Sequence, residues 1–458
     1  MSAALARLVG DDLQVPCVDG TERRYLSLDA AASTPAHPAV LARVEDFMPQ
    51  YSSVHRGAGW KSQLATAAYE DARRAALRFA GRDPDGDDVA IICRNTTEAI
   101  NHLAYRLGLV ADDVIVTTVV EHHANLLPWA RLAQRRYVEC NRDGTFGVDA
   151  VAAELDRGRP PRLLAITGAS NVTGWVPPIA EIIDAAHARG IPVLVDAAQL
   201  APHRPIPPVA DFIAWSSHKM YAPFGAGVLV GPRATFAEGD PFLAGGGAVD
   251  LVDLDEVVWT DPPEREEAGS PNVIGAVALH AAIDALTGIG WDSVRRHDDE
   301  LAAQLRRGLA DIAGVRLLGA SATDLPVATF VVDGMSHALV AARLSAEFGI
   351  GVRHGCFCAH PLLLRLLDLS DEEVDAYRHA VIHGDRTRMP GAVRASVGIS
   401  TNTDDINRFV DAVTAIASST PPPVVYDQDL HTGDYWPHAT DERWATAARR
   451  LGASCARG

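Results

Sequence analysis

Short apolar runs recur through the first half of this 458-residue chain: Val89 to Ile92, Val114 to Val120, Leu163 to Thr167, Ile191 to Val195 and Asp211 to Ala214. Runs of this length and uniformity read as strands covered on both faces. Helical patterns lie among them: Gln63 to Phe79, Ala99 to Leu107 behind the cap cluster Asn95-Thr96-Thr97-Glu98, a region around Leu126 to Arg136, and Ile179 to Arg189. Strands alternating with helices predict an α/β fold with a doubly wound, mostly parallel sheet.

After about Gly290 the rhythm changes. Long amphipathic helices (Asp292 to Ile312, Ala338 to Phe348, Thr403 to Ile416) alternate with short strands at Ala328 to Val332 and Val393 to Val397. That pattern predicts a smaller α+β C-terminal domain. The expected division is an N-terminal segment 1–24 packing with the small domain, a large domain 25–290, a small domain 291–420 and a tail 421–458. Residues 1–20 read as a short helix and lead-in loop, and Thr34-Pro35 as a helix start. The tail carries Tyr426, Tyr435, Trp436 and Trp444, and reads equally as a docked segment or a mobile extension.

A chain this long exceeds one ordinary core. With 41 basic against 59 acidic residues, its net charge of −18 argues against a nucleic-acid partner. No run approaches the length of a membrane helix, and the opening MSAALARLVGDD reads as too short and too acidic for a signal peptide. Six cysteines without a regular framework of spacings point to a reducing compartment, and the cytoplasm is expected.

Chemistry concentrates where strands end. In open α/β sheets, ligands sit at the carboxyl ends of the strands. The run Ile191 to Val195 ends in Asp196, and the run Asp211 to Ala214 leads into Trp215-Ser216-Ser217-His218-Lys219. A lysine between small hydroxyl residues and a glycine-containing turn suits the amine that holds an aldehyde cofactor as a Schiff base. Pyridoxal phosphate needs that lysine and a carboxylate facing its pyridine nitrogen, so Lys219 and Asp196 suggest one pocket. Asn95-Thr96-Thr97 offers an anion site at a helix N-terminus, or a plain cap. His122 and His123 follow another strand; one ring there could cover a cofactor face, and a metal site with Glu121 is the weaker alternative. Ala268-Gly269-Ser270-Pro271-Asn272 is a second anion-ready N-terminus, or again only a cap.

The small domain carries Arg353-His354-Gly355-Cys356-Phe357-Cys358-Ala359-His360. Arg353, His354 and His360 are expected to lower the pKa of a nucleophilic thiol; an inert buried cysteine is the alternative. No second cysteine pair completes a zinc site, and no metal is expected. Asn171, after the strand Leu163 to Thr167, could hold a cofactor oxygen or a substrate carboxylate. Arg394 lies within an apolar strand and requires an anionic partner: a substrate carboxylate or an internal acid.

In order, LDAAAS, SVHRGAG, NTTEAINHLAY, VEHHANLLPW, SNVTGWVPP, VLVDAAQLAPH, SSHKMYAPFGAGVL, EEAGSPN, VRHGCFCAHP and VRASVGISTNTDDINRFV resemble the class V aminotransferase family. Within it they resemble the Suf-type (group II) cysteine desulfurases and selenocysteine lyases, from about Leu26 to Val413. The resemblance implies a fold type I enzyme with pyridoxal 5'-phosphate, working as a homodimer whose active site is shared across subunits. Lys219 would carry the cofactor, Asp196 face its nitrogen, Gln199 its phenolic oxygen, and His122 stack on its ring. Thr97, Ser217, His218 and the partner subunit's Ser270 would bind phosphate. Asn171, Arg394, Arg353 and Arg56 would bind substrate, and Cys358 would accept sulfur from L-cysteine and pass it to a sulfur-acceptor protein. Other class V reactions (C–S lyase, selenocysteine lyase, epimerase, aminotransferase) remain rivals, as does a binding-only scaffold. Cys356 and Phe357 stand where Suf-type enzymes usually carry two histidines. The segment Leu362 to Val393 is longer than its counterpart, and the tail has no equivalent.

Overall fold

The computed structural model describes residues 2–438, apart from 56, 322–323 and 419. The apolar runs build one seven-stranded sheet from Asp88–Cys93 (β1), Val114–Thr118 (β2), Gln134–Val138 (β3), Leu163–Thr167 (β4), Val193–Asp196 (β5), Phe212–Ser216 (β6) and Gly227–Pro232 (β7). Their spatial order is β1-β7-β6-β5-β4-β2-β3. Only β7 runs against its neighbours; the pairs from β6 to β3 are parallel. Every residue of β2, β4, β5 and β6 is buried. Alternation along each strand sends Leu164, Ile166, Val193 and Val195 to one core and Leu163, Ala165 and Leu194 to another. Helices cover both faces: Val148–Asp156, Ile179–His187 and Val273–Ile289 on the first, Thr96–Arg106 on the second.

A second, antiparallel sheet comprises Val315–Leu318 (β8), Val327–Val332 (β9), Arg353–Gly355 (β10) and Ala392–Ser396 (β11), in the order β8-β9-β11-β10. Helices Trp291–Ala310, His337–Phe348 and Thr403–Ala417 close its core around Leu305, Phe330, Leu344 and Phe409. The chain enters this unit through a 78° bend between Val273–Ile289 and Trp291–Ala310, at Gly290 with φ 84°. No single helix among the described residues is long and apolar enough to cross a membrane.

Three expectations change. The helix around Leu126 to Arg136 shrinks to Leu127–Ala130, and Gln134 to Val138 is the edge strand β3. An edge strand has one open side and tolerates Gln134 and Arg135, so it shows no apolar run. Residues 1–20 form no helix among those described; Gln14–Pro16 pairs with Glu22–Arg24 as a hairpin, beside the small unit through Val18 N–H to the Ala346 carbonyl. Thr34 starts no helix. Its hydroxyl receives the Tyr221 N–H and donates to the His218 carbonyl, bracing the Lys219 turn, while the next helix begins at Pro38 behind His37.

The segments that depart from the family pattern form regular elements among the described residues. Leu362 to Val393 contains the end of helix His360–Leu366 and the helix Asp371–Ile382, the latter opened by a reciprocal Ser370–Glu373 cap. The tail forms a hairpin of Tyr426–Gln428 (β12) and Tyr435–Pro437 (β13); Trp444 lies outside the described residues.

At the start of β7, a Cβ on Gly227 would lie 2.5 Å from Asn95 Cα, inside the backbone that caps helix Thr96–Arg106. Gly227→Ala must therefore separate strand from helix and should cost about 1–3 kcal/mol of stability, read as a lower urea midpoint.

Candidate active site

A cavity of about 550 Å³ opens at the carboxyl ends of β2, β4, β5 and β6, against β10 and β11 of the second sheet. Asp196 ends β5, Ser216 ends the adjacent β6, and the turn Ser217–Lys219 follows. Asp196 and Lys219 both line the cavity. Burial pushes the Lys219 ammonium down to about 8, opposed by the Asp196 carboxylate and assisted by the Arg394 charge. Burial raises the Asp196 carboxyl above its ordinary range, opposed by the Ala198 N–H (3.0 Å) and Lys219. An amine this easily freed of its proton is a nucleophile near neutral pH.

His122 follows β2 and lines the same cavity. Its Nδ1 accepts the Ala124 N–H at 3.0 Å, which leaves the proton of the neutral ring on Nε2. Burial and Lys219 push its pKa down to about 4, and the same two causes bring His218 to about 4. Across the cavity, Asn95 caps helix Thr96–Arg106 by accepting the Glu98 N–H, and Thr96 and Thr97 line the wall. Ser216 joins them, with its Oγ 2.6 Å from Thr96 Oγ1 and accepting the Thr96 N–H at 2.8 Å.

The hydroxyl on the cavity wall is that of Ser216, not that of Ser217. Ser217 is fully buried, with its Oγ within hydrogen-bond distance of the Ala222 and Ala226 carbonyls, and it does not line the cavity. Successive residues leaving a strand face opposite ways, so of two adjacent hydroxyls one faces the cavity and the other braces the turn. Ser270 lies elsewhere on this chain, in a second cavity of about 420 Å³ shared with His55, Arg73 and Glu267. Arg56 lies outside the described residues. Gln199 faces the main cavity while its Nε2 donates to the Ala31 carbonyl at 2.7 Å.

Arg394, 2% exposed, reaches from β11 to the large sheet. It donates to the Asn171 carbonyl (2.9 Å) and to Asp29 Oδ1 (2.9 Å), and lies 5.1 Å from the Phe357 ring centroid. Its Nε is buried without a partner, the kind of donor that a carboxylate entering the cavity would satisfy. Asn171 Nδ2 donates to the Phe357 carbonyl at 2.7 Å. Arg353 stands at the rim, 4.0 Å from Asp29 Oδ2.

Cys356 and Cys358 line the small-unit side, with Cys358 exposed. Phe357 and Cys358 adopt φ of 54° and 55°, a left-handed pair without glycine. The pair is held at both carbonyls, by Asn171 at Phe357 and by the His123 N–H at Cys358 (2.7 Å). The histidines expected to acidify the thiol face other partners. His360 Nδ1 lies 3.2 Å from His123 Nε2, their rings stacked. His354 sits between His337 (3.3 Å) and Asp434 (3.5 Å). Burial lowers the pKa of both. Glu121 is no metal ligand in waiting: its oxygens receive Thr118, Asn125 and the Thr167 N–H. Sequence reasoning missed Ser216, Asp29 and the His337–His354–Asp434 group, whose members are brought together only by the fold.

His122, His218 and His337 are each held near 4 against an ordinary 6.5, chiefly by burial. Between those values the unfolded chain binds protons that the folded chain refuses. Stability is therefore complete above pH 6.5 and lost as pH falls toward 4. Urea midpoints should drop between pH 7.5 and pH 5, and His337→Gln should flatten that slope.

The class V aminotransferase family model (Aminotransferase class-V) matches residues 26–409. A cysteine desulfurase of Dickeya dadantii is 36% identical over 406 residues, covering 86% of this chain and 92% of that one. A probable cysteine desulfurase 2 of Mycobacterium leprae is 33% identical, covering 86% and 91%. Among solved structures, the apo cysteine desulfurase of Thermococcus onnurineus aligns with TM-score 0.76 at 29% identity, covering 86% of this chain and 95% of that one. The Escherichia coli cysteine desulfurase CsdA, in its S-sulfonic acid form, gives 0.72 at 32%, covering 85% and 94%. With a lysine and a carboxylate at adjacent strand ends, and a match that runs nearly end to end, this chain belongs to the class V aminotransferase family.

Proposed function

We propose that this chain is a pyridoxal-phosphate-dependent cysteine desulfurase, converting L-cysteine to L-alanine with transfer of sulfur to Cys358. The observation that carries the reading is an exposed thiol in the same cavity as the buried Lys219 amine, near enough to act on the charge of that amine. The donor set suits the cofactor: an amine for the aldehyde, a buried carboxylate for the ring nitrogen, and a helix N-terminus with Thr97, Ser216 and His218 for the phosphate. When bound, pyridoxal phosphate supplies the electron sink for chemistry at the substrate Cα.

The chain's own residues supply the rest. Arg394 Nε and Asn171 orient the substrate carboxylate, and Arg353 guards the rim. Asp196 would hold a proton on the ring nitrogen. Lys219 takes the Cα proton as a free amine, and His122 keeps a neutral Nε2–H toward the cavity. The Cys358 thiolate attacks the substrate sulfur. The Cβ–S bond breaks, its electron pair stays with carbon and takes a proton, and an S–S bond forms on Cys358 as alanine departs.

The active unit is read as a homodimer. Ser270 shares its cavity with Gly246 and Gly247, which lead into the hairpin Val249–Val252 and Val257–Trp259, where Leu251, Leu254 (99% exposed) and Val258 stand out in solvent. Such an apolar projection favours association with a second copy. From that position Ser270 would complete the partner's phosphate site. The described cysteines are all unpaired, in keeping with the cytoplasm.

The test is to incubate purified enzyme with cysteine and measure alanine, sulfide and pyruvate together. Cys358→Ala should lose at least 100-fold in alanine formation while retaining bound cofactor, and the wild type should gain one sulfur on Cys358 by intact mass. Pyruvate in place of alanine, or undiminished alanine from the variant, would overturn the thiol's role. Lys219→Ala should release its cofactor when unfolded in borohydride, whereas the wild type should keep it covalently attached.

A further inference from the structure

Two chain segments meet over the cavity, one before β11 and the other at the tip of the tail hairpin. Arg386, Thr387 and Met389 of the first, and Thr432, Gly433 and Asp434 of the second, line the same cavity as Cys358. The hairpin lies beyond residues 26–409, the span of the family match. The segments are sewn to each other: Arg386 N–H donates to the Leu430 carbonyl (3.0 Å), Arg386 Nη1 to the His431 carbonyl (2.7 Å), and Gln428 Nε2 to the Thr387 carbonyl (2.8 Å). A Cβ on Gly433 would lie 2.5 Å from the Arg386 carbonyl oxygen, so the fit leaves no slack.

They are also fastened to the body. Tyr426 Oη donates to Glu347 Oε1 (3.0 Å), itself paired with the buried Arg343. Asp434 Oδ1 lies 3.5 Å from His354, next to the thiol loop, and His337 Nε2 lies 3.1 Å from the Met389 carbonyl. With ties on both sides, these segments form a fixed wall.

We propose that this wall is a filter on the sulfur acceptor, admitting a low-molecular-weight thiol to Cys358 and excluding a folded acceptor protein. The proposal rests on the desulfurase reading. The acceptor's thiolate must reach the outer sulfur of the Cys358 persulfide in line with the S–S bond. The new S–S bond forms on the acceptor, the old one breaks, and Cys358 leaves with its electron pair and takes up the proton released by the acceptor thiol. No oxidant or reductant is consumed. Cys358 is exposed in the cavity that this wall borders, so a small thiol reaches it beside the wall; a cysteine on a globular surface brings neighbouring backbone that collides with Arg386–Met389 and Thr432–Asp434.

The test uses holoenzyme and three acceptors: dithiothreitol, thiol-terminated linear polyethylene glycol, and a small folded protein carrying one surface cysteine. Without acceptor, a burst of about one alanine per Cys358 reports the first half-reaction, and its absence would sink the desulfurase reading. With the burst present, turnover should be at least 10-fold faster with dithiothreitol than with the folded protein at equal thiol concentration. Truncation after Val425 should narrow that ratio at least 3-fold. Thr432→Trp, which keeps the hairpin, should lower turnover with polyethylene glycol thiol more than with dithiothreitol and leave the burst unchanged. Equal rates with dithiothreitol and the folded protein, or a ratio unmoved by both variants, would overturn the filter.

Discussion

Placing an amine and a carboxylate at the ends of two neighbouring parallel strands, and burying both, is the constraint from which the rest follows. β5 and β6 pair in register, so Asp196 and the turn bearing Lys219 emerge side by side. Low-dielectric surroundings disfavour both charges, and each then depends on the other to stay ionised. The apolar layers on either face of the sheet keep water from that region. A hydrophobic fold of this kind therefore does more than support the site; it sets the basicity of the nitrogen within it.

The second sheet supplies what the first lacks. Arg394 crosses from β11 to Asn171 and Asp29, and Asn171 in turn holds the thiol loop. One guanidinium thus joins both halves of the molecule and keeps one buried N–H without a partner. Burying such a cation is tolerable only because Asp29 and a carbonyl meet it.

What the sequence disclosed, and what it hid, follows from whether a feature is local. Buried parallel strands show themselves as uninterrupted apolar runs, and Asp196 and Lys219 are legible because each directly follows one. β3 escaped notice because an edge strand such as Gln134–Val138 may be polar in solvent without penalty. Ser217 was preferred to Ser216 because composition does not reveal which of two adjacent hydroxyls faces the pocket; strand geometry does. His337, His354 and Asp434 lie far apart in the chain, and no spacing rule brings them together. His354 and His360 looked like activators of a thiol when read as neighbours in sequence; packing turned both toward other rings.

The left-handed pair Phe357-Cys358 has a consequence for how this loop can vary. Non-glycine residues in that conformation cost about 1–3 kcal/mol each and persist only where surroundings over-determine them. Glycine at either place would ease the backbone, yet it would surrender the ring beneath Arg394 or the sulfur itself. The loop is thus a cocked spring whose catches are Asn171 and the His123 amide. Losing either catch would free the loop to swing the Cys358 sulfur out of the cavity it shares with Lys219.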